Sequence, residues 1–210
     1  MRKEITNAFL GIVVLTLVCG ILYPLVVTGI GQLAFPGNAN GQQVFVDGKL
    51  VGSKIIGQYF GSIKFNKSGV AVSYTPDPRY FQTRPSGTSP QDNGEATSFA
   101  NYGPNSTITE KAIASNIQGY IALNGKYYPG GLTAAKVPVD AADTSASGVD
   151  PDISVRNADI QAYRIAAVRH LSLAKVHGLI SQYTAGRGLG FSGEPAVNVL
   201  ELNLALNRLS

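Results

Sequence analysis

The sequence predicts a mixed α+β extracytosolic domain tethered by one N-terminal transmembrane helix, and three observations predict it. Residues 8–30 (AFLGIVVLTLVCGILYPLVVTGI) carry no charge; at about 1.5 Å of rise per residue they cross the roughly 30 Å hydrocarbon core of a bilayer. The remaining residues mix hairpin-like and helix-like patterns rather than repeating one of them. Charged residues make up only 14% of the 210-residue chain, against about 25% in ordinary soluble domains.

Arg2 and Lys3 precede the apolar run, and no basic residue follows it until Lys49, so the positive-inside rule puts the N-terminus in the cytosol. The expected organisation is a cytosolic tail (1–7), a transmembrane helix (8–34) kinked near Pro24, and a single extracytosolic domain (35–210). A cleaved secretory signal would share the basic start, with residues 37–39 as a small-residue cleavage region, but signal h-regions run only about 7–15 residues. Pro24 should kink the helix because it lacks a donor and crowds the carbonyl four residues back. Gly11, Gly20, Gly29, Thr16 and Thr28 suit close packing against other membrane helices, although such residues are common in spans anyway. The only cysteine, Cys19, falls inside the run. The outer domain therefore has no internal disulfide, thiol nucleophile or cysteine-ligated metal, and Cys19 reads as a small apolar residue.

Beyond Phe35-Pro36, Gln43–Val46, Asp47-Gly48 and Lys49–Ser53 read as strand, turn and strand, because Asp-Gly supplies the positive φ that a two-residue hairpin loop needs. Residues 61–104 are dense in Gly, Pro, Ser, Thr, Asn and Tyr, which favours turns and irregular structure. Their aromatics (Phe65, Tyr74, Tyr80, Phe81, Phe99, Tyr102) argue for an ordered, surface-exposed stretch. Thr107-Ile108-Thr109-Glu110 has the form of a capping box and predicts a helix from Thr107 to near Ile121. Residues 127–131 are turn-like, and Val137-Pro138-Val139 reads as a short extended or edge segment. After a Ser154 cap, Ile160, Tyr163, Ala167, Leu171 and Ala174 recur at helical spacing, predicting one helix to about Ser181. Gly186, Gly188 and Gly190 break the chain. Leu200, Leu202, Leu204 and Leu206 alternate with polar or small residues, which favours a strand, with a short helix as the alternative.

The basic and acidic residues, 17 Lys+Arg against 13 Asp+Glu, are scattered rather than gathered into a stripe, so nucleic acid is not an expected partner. His170 and His177 lie seven apart, too far for the four-residue spacing of helical zinc ligands; no metal site is expected. Asp140 with Asp143, and Asp150 with Asp152, are better explained as caps and turns than as an acid/base pair or cation site. Arg84, fixed by Pro85, could present a bidentate donor to a partner carboxylate; an internal ion pair explains it equally well. No G-x-S-x-G motif, P-loop or dinucleotide fingerprint is present, and no catalytic residue is assigned. The residues alone describe a membrane-anchored outer domain with a binding or assembly role. An independent anchored or secreted binding protein or enzyme is the alternative.

Several motifs, in order, carry a family resemblance. They are Tyr23-Pro24, Gly52-Ser53, Ile56-Gly57-Gln58 with Phe60, Tyr80-Phe81-Gln82-Thr83-Arg84-Pro85-Ser86, Gly103-Pro104-Asn105 and Val137-Pro138-Val139-Asp140. Further along come Ser145, Ser147-Gly148, Asp150-Pro151, Ile153-Ser154, the helical Gln161, Arg164 and Arg169, then Gly190-Phe191, Gly193-Glu194-Pro195 and residues 198–203 (NVLELN). On these the chain resembles the C subunit of the Kdp-type potassium-transporting ATPase of bacteria and archaea. It departs from the family at residues 97–102 (TSFANY for the usual Ser-Gly-Gly-Ser-Asn-Leu) and 143–148 (DTSASG for Thr-Ala-Ser-Gly-Ser-Gly).

The resemblance implies an accessory, non-catalytic subunit of a high-affinity potassium importer, needed for assembly and described as a catalytic chaperone that raises the ATP affinity of another subunit. Implied partners are an ion-selecting channel-like subunit, a P-type ATPase subunit that hydrolyses ATP, a small membrane peptide and the lipid bilayer. ATP and potassium are then handled by the complex, with no cofactor assigned to this chain. If the outer domain lies across the membrane from ATP, the effect on ATP affinity is transmitted at a distance, and the domain could cap the outer mouth of the ion-selecting subunit. The candidates for partner contact are Tyr23, Pro24, Gln58, Tyr80, Phe81, Arg84, Pro85, Ser86, Ser147, Gly148, Asp150 and Glu194, since Tyr and Arg are enriched where interfaces derive their energy.

Overall fold

The computed structural model describes residues 1–88, 91–94, 102, 103 and 105–209. The chain divides into two compact units, Met1–Val51 and Gly52–Ser210.

In the first unit, helices α1 (Arg2–Leu17) and α2 (Tyr23–Ala34) are joined by a π-helical turn over Val18–Leu22. Together they form one helix of 33 residues, Arg2–Ala34, long and apolar enough to cross a membrane. None of its side chains is buried within the chain, as expected of a helix whose apolar surface meets lipid or other helices. Just before Pro24 the helix makes the π turn: the amide of Tyr23 bonds to the carbonyl of Val18, five residues back. Wider turns of this kind accommodate a proline that cannot donate to its own i−4 carbonyl. The short helix α3 (Pro36–Ala39) follows, and Asn40 closes it by exchanging amide hydrogen bonds with Gln32 at 3.2 and 3.1 Å. Strands β1 (Gln43–Val46) and β2 (Lys49–Ser53) pair as expected, with Asp47 and Gly48 at φ of 50° and 74°, the conformation of a type I′ turn.

In the second unit, the stretch expected to be irregular contains a hairpin, β3 (Gly61–Phe65) with β4 (Ala71–Pro76). Its turn residues look like loop composition, which concealed the strands. Phe99 and Pro104 of the same stretch lie outside the described residues. Helix α4 (Thr107–Asn124) is capped one residue earlier than predicted: Ser106 Oγ accepts from the Thr109 amide, so Thr107 is already helical. Val137 and Pro138 are extended, but no strand forms. Pro138 instead caps the short helix α5 (Val139–Ala142), as proline's fixed φ allows at a helix start.

Strand β5 (Asp152–Ser154) leads into α6 (Val155–Arg169), with Ser154 capping it through the Asn157 amide as predicted. The single long helix expected there is two. His170 adopts a left-handed conformation (φ 56°, ψ 36°) that ends α6, and Ser172 caps α7 (Leu173–Gln182). Strands β6 (Thr184–Ala185) and β7 (Ala196–Asn198) follow, giving a three-stranded antiparallel sheet in the order β5-β7-β6. The leucine-rich end forms helix α8 (Val199–Asn207), capped by Asn198, rather than the favoured strand. Val199, Leu202 and Leu206 are fully or almost fully buried, and their three- and four-residue spacing is helical.

The core lies where α6, α7 and α8 meet the sheet: Ile153, Ile165, Val176, Ile180, Val197, Val199, Leu202 and Leu206, closed by Phe81. Each fully buried large aliphatic side chain contributes about 1.5–3 kcal/mol.

Candidate partner-docking site

After β4 the chain makes a tight turn. Asp77 accepts from the Arg79 amide at 2.9 Å and pairs with its guanidinium at 2.7 Å, and this guanidinium holds the carboxyl below its usual range. The following segment is gripped by buried polar side chains of α6 and α8. Arg164 sends Nη1 to the carbonyls of Tyr80 (2.9 Å) and Pro78, Nε to Asn124 Oδ1 (2.9 Å) and Nη2 to Gln161 Oε1 (2.9 Å). Burial pushes this guanidinium down to about 10. Gln161 accepts from the Gln82 amide (2.8 Å) and donates to its carbonyl (3.1 Å), and Asn203 does the same for Phe81. Side-chain amides here take the place of a neighbouring strand.

The gripped backbone presents residues 83–88 to the loop that precedes β5. Arg84 Nη1 lies 3.3 Å from Asp150 Oδ2, and Nη2 donates to the carbonyl of Thr144 at 3.0 Å. Its buried Nε has no hydrogen-bond partner among the described residues. Ser86 Oγ donates to the Gly148 carbonyl at 2.8 Å and accepts from the Asp92 amide at 2.9 Å. Ser145 and Ser147 shape the same loop, accepting from the amides of Gly148 and Val149. Asp92 accepts from Thr83 Oγ1 at 2.8 Å, and burial raises its carboxyl to about 6 against those hydrogen bonds. Gly57 donates to the Val149 carbonyl at 2.7 Å. A Cβ there would lie 2.8 Å from the Asp150 carbonyl oxygen, so only glycine fits without displacing the backbone.

Of the sequence candidates, Arg84, Pro85, Ser86, Ser147, Gly148 and Asp150 therefore converge on one cluster. Arg84 serves as an internal brace rather than a free fork for a partner carboxylate. Phe81 must be withdrawn from the surface: it is 0% exposed, because Asn203 pins its backbone and the core receives its ring. Tyr80 is half-buried, stacked on Phe60 with ring centres 5.5 Å apart and with the Arg169 guanidinium 4.8 Å over its ring. Gln58 is half-buried, filling the space beside Gly52 together with Leu200. Glu194 is exposed in a separate loop, held by Arg187 at 2.8 Å, and Tyr23 and Pro24 belong to the first unit.

The acidic residues weighed as pairs act as caps and braces: Asp140 accepts from the Ser154 amide (2.7 Å), Ser154 Oγ and Asn157 Nδ2. His170 forms the helix break and His177 lies within α7, where its Nδ1 meets Asp159 at 2.9 Å.

Sequence reading missed Asp92, and it quoted Thr83, Gln161, Arg164 and Asn203 in the family motifs without assigning them the bond to Asp92 or the grip on residues 78–82. For the grip a signal existed. Asn157, Gln161 and Arg164 recur at four and three residues, placing three polar side chains on one helix face, and all three are buried. For Asp92, within a polar loop, there was none.

The family described as KdpC, the K+-transporting ATPase c chain, matches residues 5–208. The chain belongs to that family. Its relatives include proteins named Potassium-transporting ATPase KdpC subunit from Methylococcus capsulatus, 45% identical over 210 residues, and from Mycobacterium bovis, 42% identical over 210 residues. Each alignment covers 100% of both chains. A third, from Herminiimonas arsenicoxydans, is 41% identical over 209 residues and covers 99% of each. As a KdpC family member the chain is a subunit of a potassium-transporting ATPase complex, and its helix Arg2–Ala34 is a candidate membrane anchor.

Proposed function

We propose that this chain is the accessory, non-catalytic subunit of a high-affinity potassium importer, required for assembly and raising the ATP affinity of the subunit that hydrolyses ATP. Its N-terminus lies in the cytosol and residues 35–210 lie on the outer face, the Gly52–Ser210 unit among them. There the Arg84–Ser86–Gly148–Asp150 cluster meets the ion-selecting subunit and caps its outer mouth. The proposed partners are that channel-like subunit, the P-type subunit that is phosphorylated, and a small membrane peptide.

The observation that carries this reading is the grip of Arg164, Gln161 and Asn203 on residues 78–82. Buried polar side chains are used here to hold one surface segment rigid, and a preorganised segment binds with less ordering entropy lost. Charge supports the orientation: Arg2 and Lys3 flank one end of the helix, and residues 35–48 beyond the other end carry no basic side chain.

The test is purification from membranes of potassium-limited cells, followed by ATPase assays with and without this subunit. The reading expects a P-type ATPase and a channel-like subunit in fixed stoichiometry, and a higher KM for ATP when the chain is missing. Recovery of the chain alone, monodisperse, would refute the assembly role; an unchanged KM would refute the chaperone role.

A further inference from the structure

The β3–β4 hairpin is amphipathic in a way that the core does not use. Ile63 faces Tyr74 across the ladder, Lys64 faces Ser73, and Phe65 pairs with Ala71 past a bulge that leaves Val72 extra. Since successive side chains point to opposite faces, Ile63, Phe65, Val72 and Tyr74 share one face, and Ser62, Lys64, Ser73 and Thr75 the other. At its base this face is covered, Tyr59 packing edge-on against Tyr74 with ring centres 5.7 Å apart, but towards the tip it is open: Phe65, Val70 and Val72 are 53%, 54% and 60% exposed.

The tip is not loose. Asn66 Oδ1 accepts from the amides of Ser68 and Val70, each at 2.9 Å, and the Asn66 amide donates to the Val70 carbonyl at 2.9 Å. The backbone that carries the exposed side chains is thus preformed, which lowers the ordering cost of binding. Charge identifies the occupant. Residues 61–76 contain Lys64, on the opposite face, and Lys67, in the turn, and no acidic residue, and an apolar tip with lysines beside it matches an interface of acyl chains beneath anionic headgroups. Lysine also suits this role because its stem stays in apolar surroundings while the ammonium reaches the phosphates.

We propose that the hairpin tip, Phe65, Val70 and Val72 with Lys64 and Lys67, seats in the headgroup region of an anionic bilayer as a second membrane contact in addition to the helix. The inference uses the membrane anchorage only and does not depend on the role in the pump.

The chain contains no tryptophan, so Phe65→Trp and, separately, Val72→Trp each place a single fluorophore on this face. Both positions are exposed, so neither substitution disturbs the core. In proteoliposomes of the full chain containing phosphatidylglycerol, brominated acyl chains should cause about a twofold loss of emission, as for a side chain at the acyl boundary. Adding Lys64→Glu and Lys67→Glu should abolish most of that loss. Emission unaffected by brominated lipid in both variants would overturn the proposal. Shielding of the fluorophore from aqueous quencher only when the other pump subunits are present, again without bromolipid quenching, would also overturn it and assign the hairpin to a protein interface.

Discussion

Asn203 and Phe81, 122 residues apart, are joined by two hydrogen bonds of 2.9 Å, one in each direction between the carboxamide and the backbone. Both residues are 0% exposed. The pair does the work of one rung of a β-ladder, with a side chain of α8 standing in for a strand, and it fixes where the segment leading to Arg84 leaves the core.

Replacing Asn203 by Ala should therefore leave a buried amide and a buried carbonyl unpaired, at about 1–3 kcal/mol each. For a chain of this size that lowers Tm by about 6–12 °C, taking about 3 kcal/mol in total. Thermal unfolding of the purified chain in detergent measures it. A Tm unchanged from the parent would mean that the segment is held by other contacts.

Asp92 predicts a pH dependence. Burial raises its carboxyl from 3.8 to about 6 in the folded chain, so between these values the folded state holds a proton that the unfolded state has released. Stability from this group is full below about pH 4 and is lost as pH rises through about 6. Asp92→Asn keeps an acceptor for Thr83 and tolerates the positive φ of 55°. It should stabilise the chain by about 2–3 kcal/mol at pH 7.5 and give no gain near pH 4. Denaturant titrations at the two pH values decide it: an equal gain at both would mean that charge burial is not the cause.

What the sequence made legible was local. Asp47-Gly48 announces its hairpin and Ser154 its helix because turn and cap chemistry act over two to four residues. The break at His170 was hidden, since Ala167, Leu171 and Ala174 keep helical spacing across it and Ser172 looks like one more polar residue. Helix α8 was hidden for a related reason. Leucines at every second position fit a strand, and only the burial of Asn203 beside Leu202 and Leu206 completes the helical face. At the docking cluster, Arg84 stood out through its neighbouring proline and Asp150 through its acidic pairing, whereas Ser147 and Gly148 were named through family resemblance. Their meeting depends on contacts across about sixty residues of sequence, which no local pattern encodes.

His170 offers a conformational test. It ends α6 in the left-handed region, where a side chain costs about 1–2 kcal/mol and glycine costs little. His170→Gly should raise Tm by about 2–4 °C, and the β-branched His170→Val should lower it by at least as much. If the glycine variant were less stable than the parent, the imidazole would be contributing contacts that outweigh its backbone strain.

Pro24 carries the last prediction, because it links a backbone defect to assembly. Without an amide hydrogen it cannot donate to the Gly20 carbonyl, and the turn before it is the π turn in which Tyr23 bonds to Val18. One extra residue in a turn rotates everything after it by about 100° relative to a continuous α-helix. The faces of α1 and α2 are therefore set by this turn, and with them which small residues meet neighbouring helices. Pro24→Ala restores the donor and should let the turn relax to α-helical geometry, seen as slower amide hydrogen exchange at residues 18–24 in lipid nanodiscs. The Gly52–Ser210 unit should keep its unfolding temperature while the yield of complex co-purifying with the other pump subunits falls. Slower exchange with undiminished complex would show that assembly does not read the rotation set by Pro24, and unchanged exchange would show that the π turn has another cause.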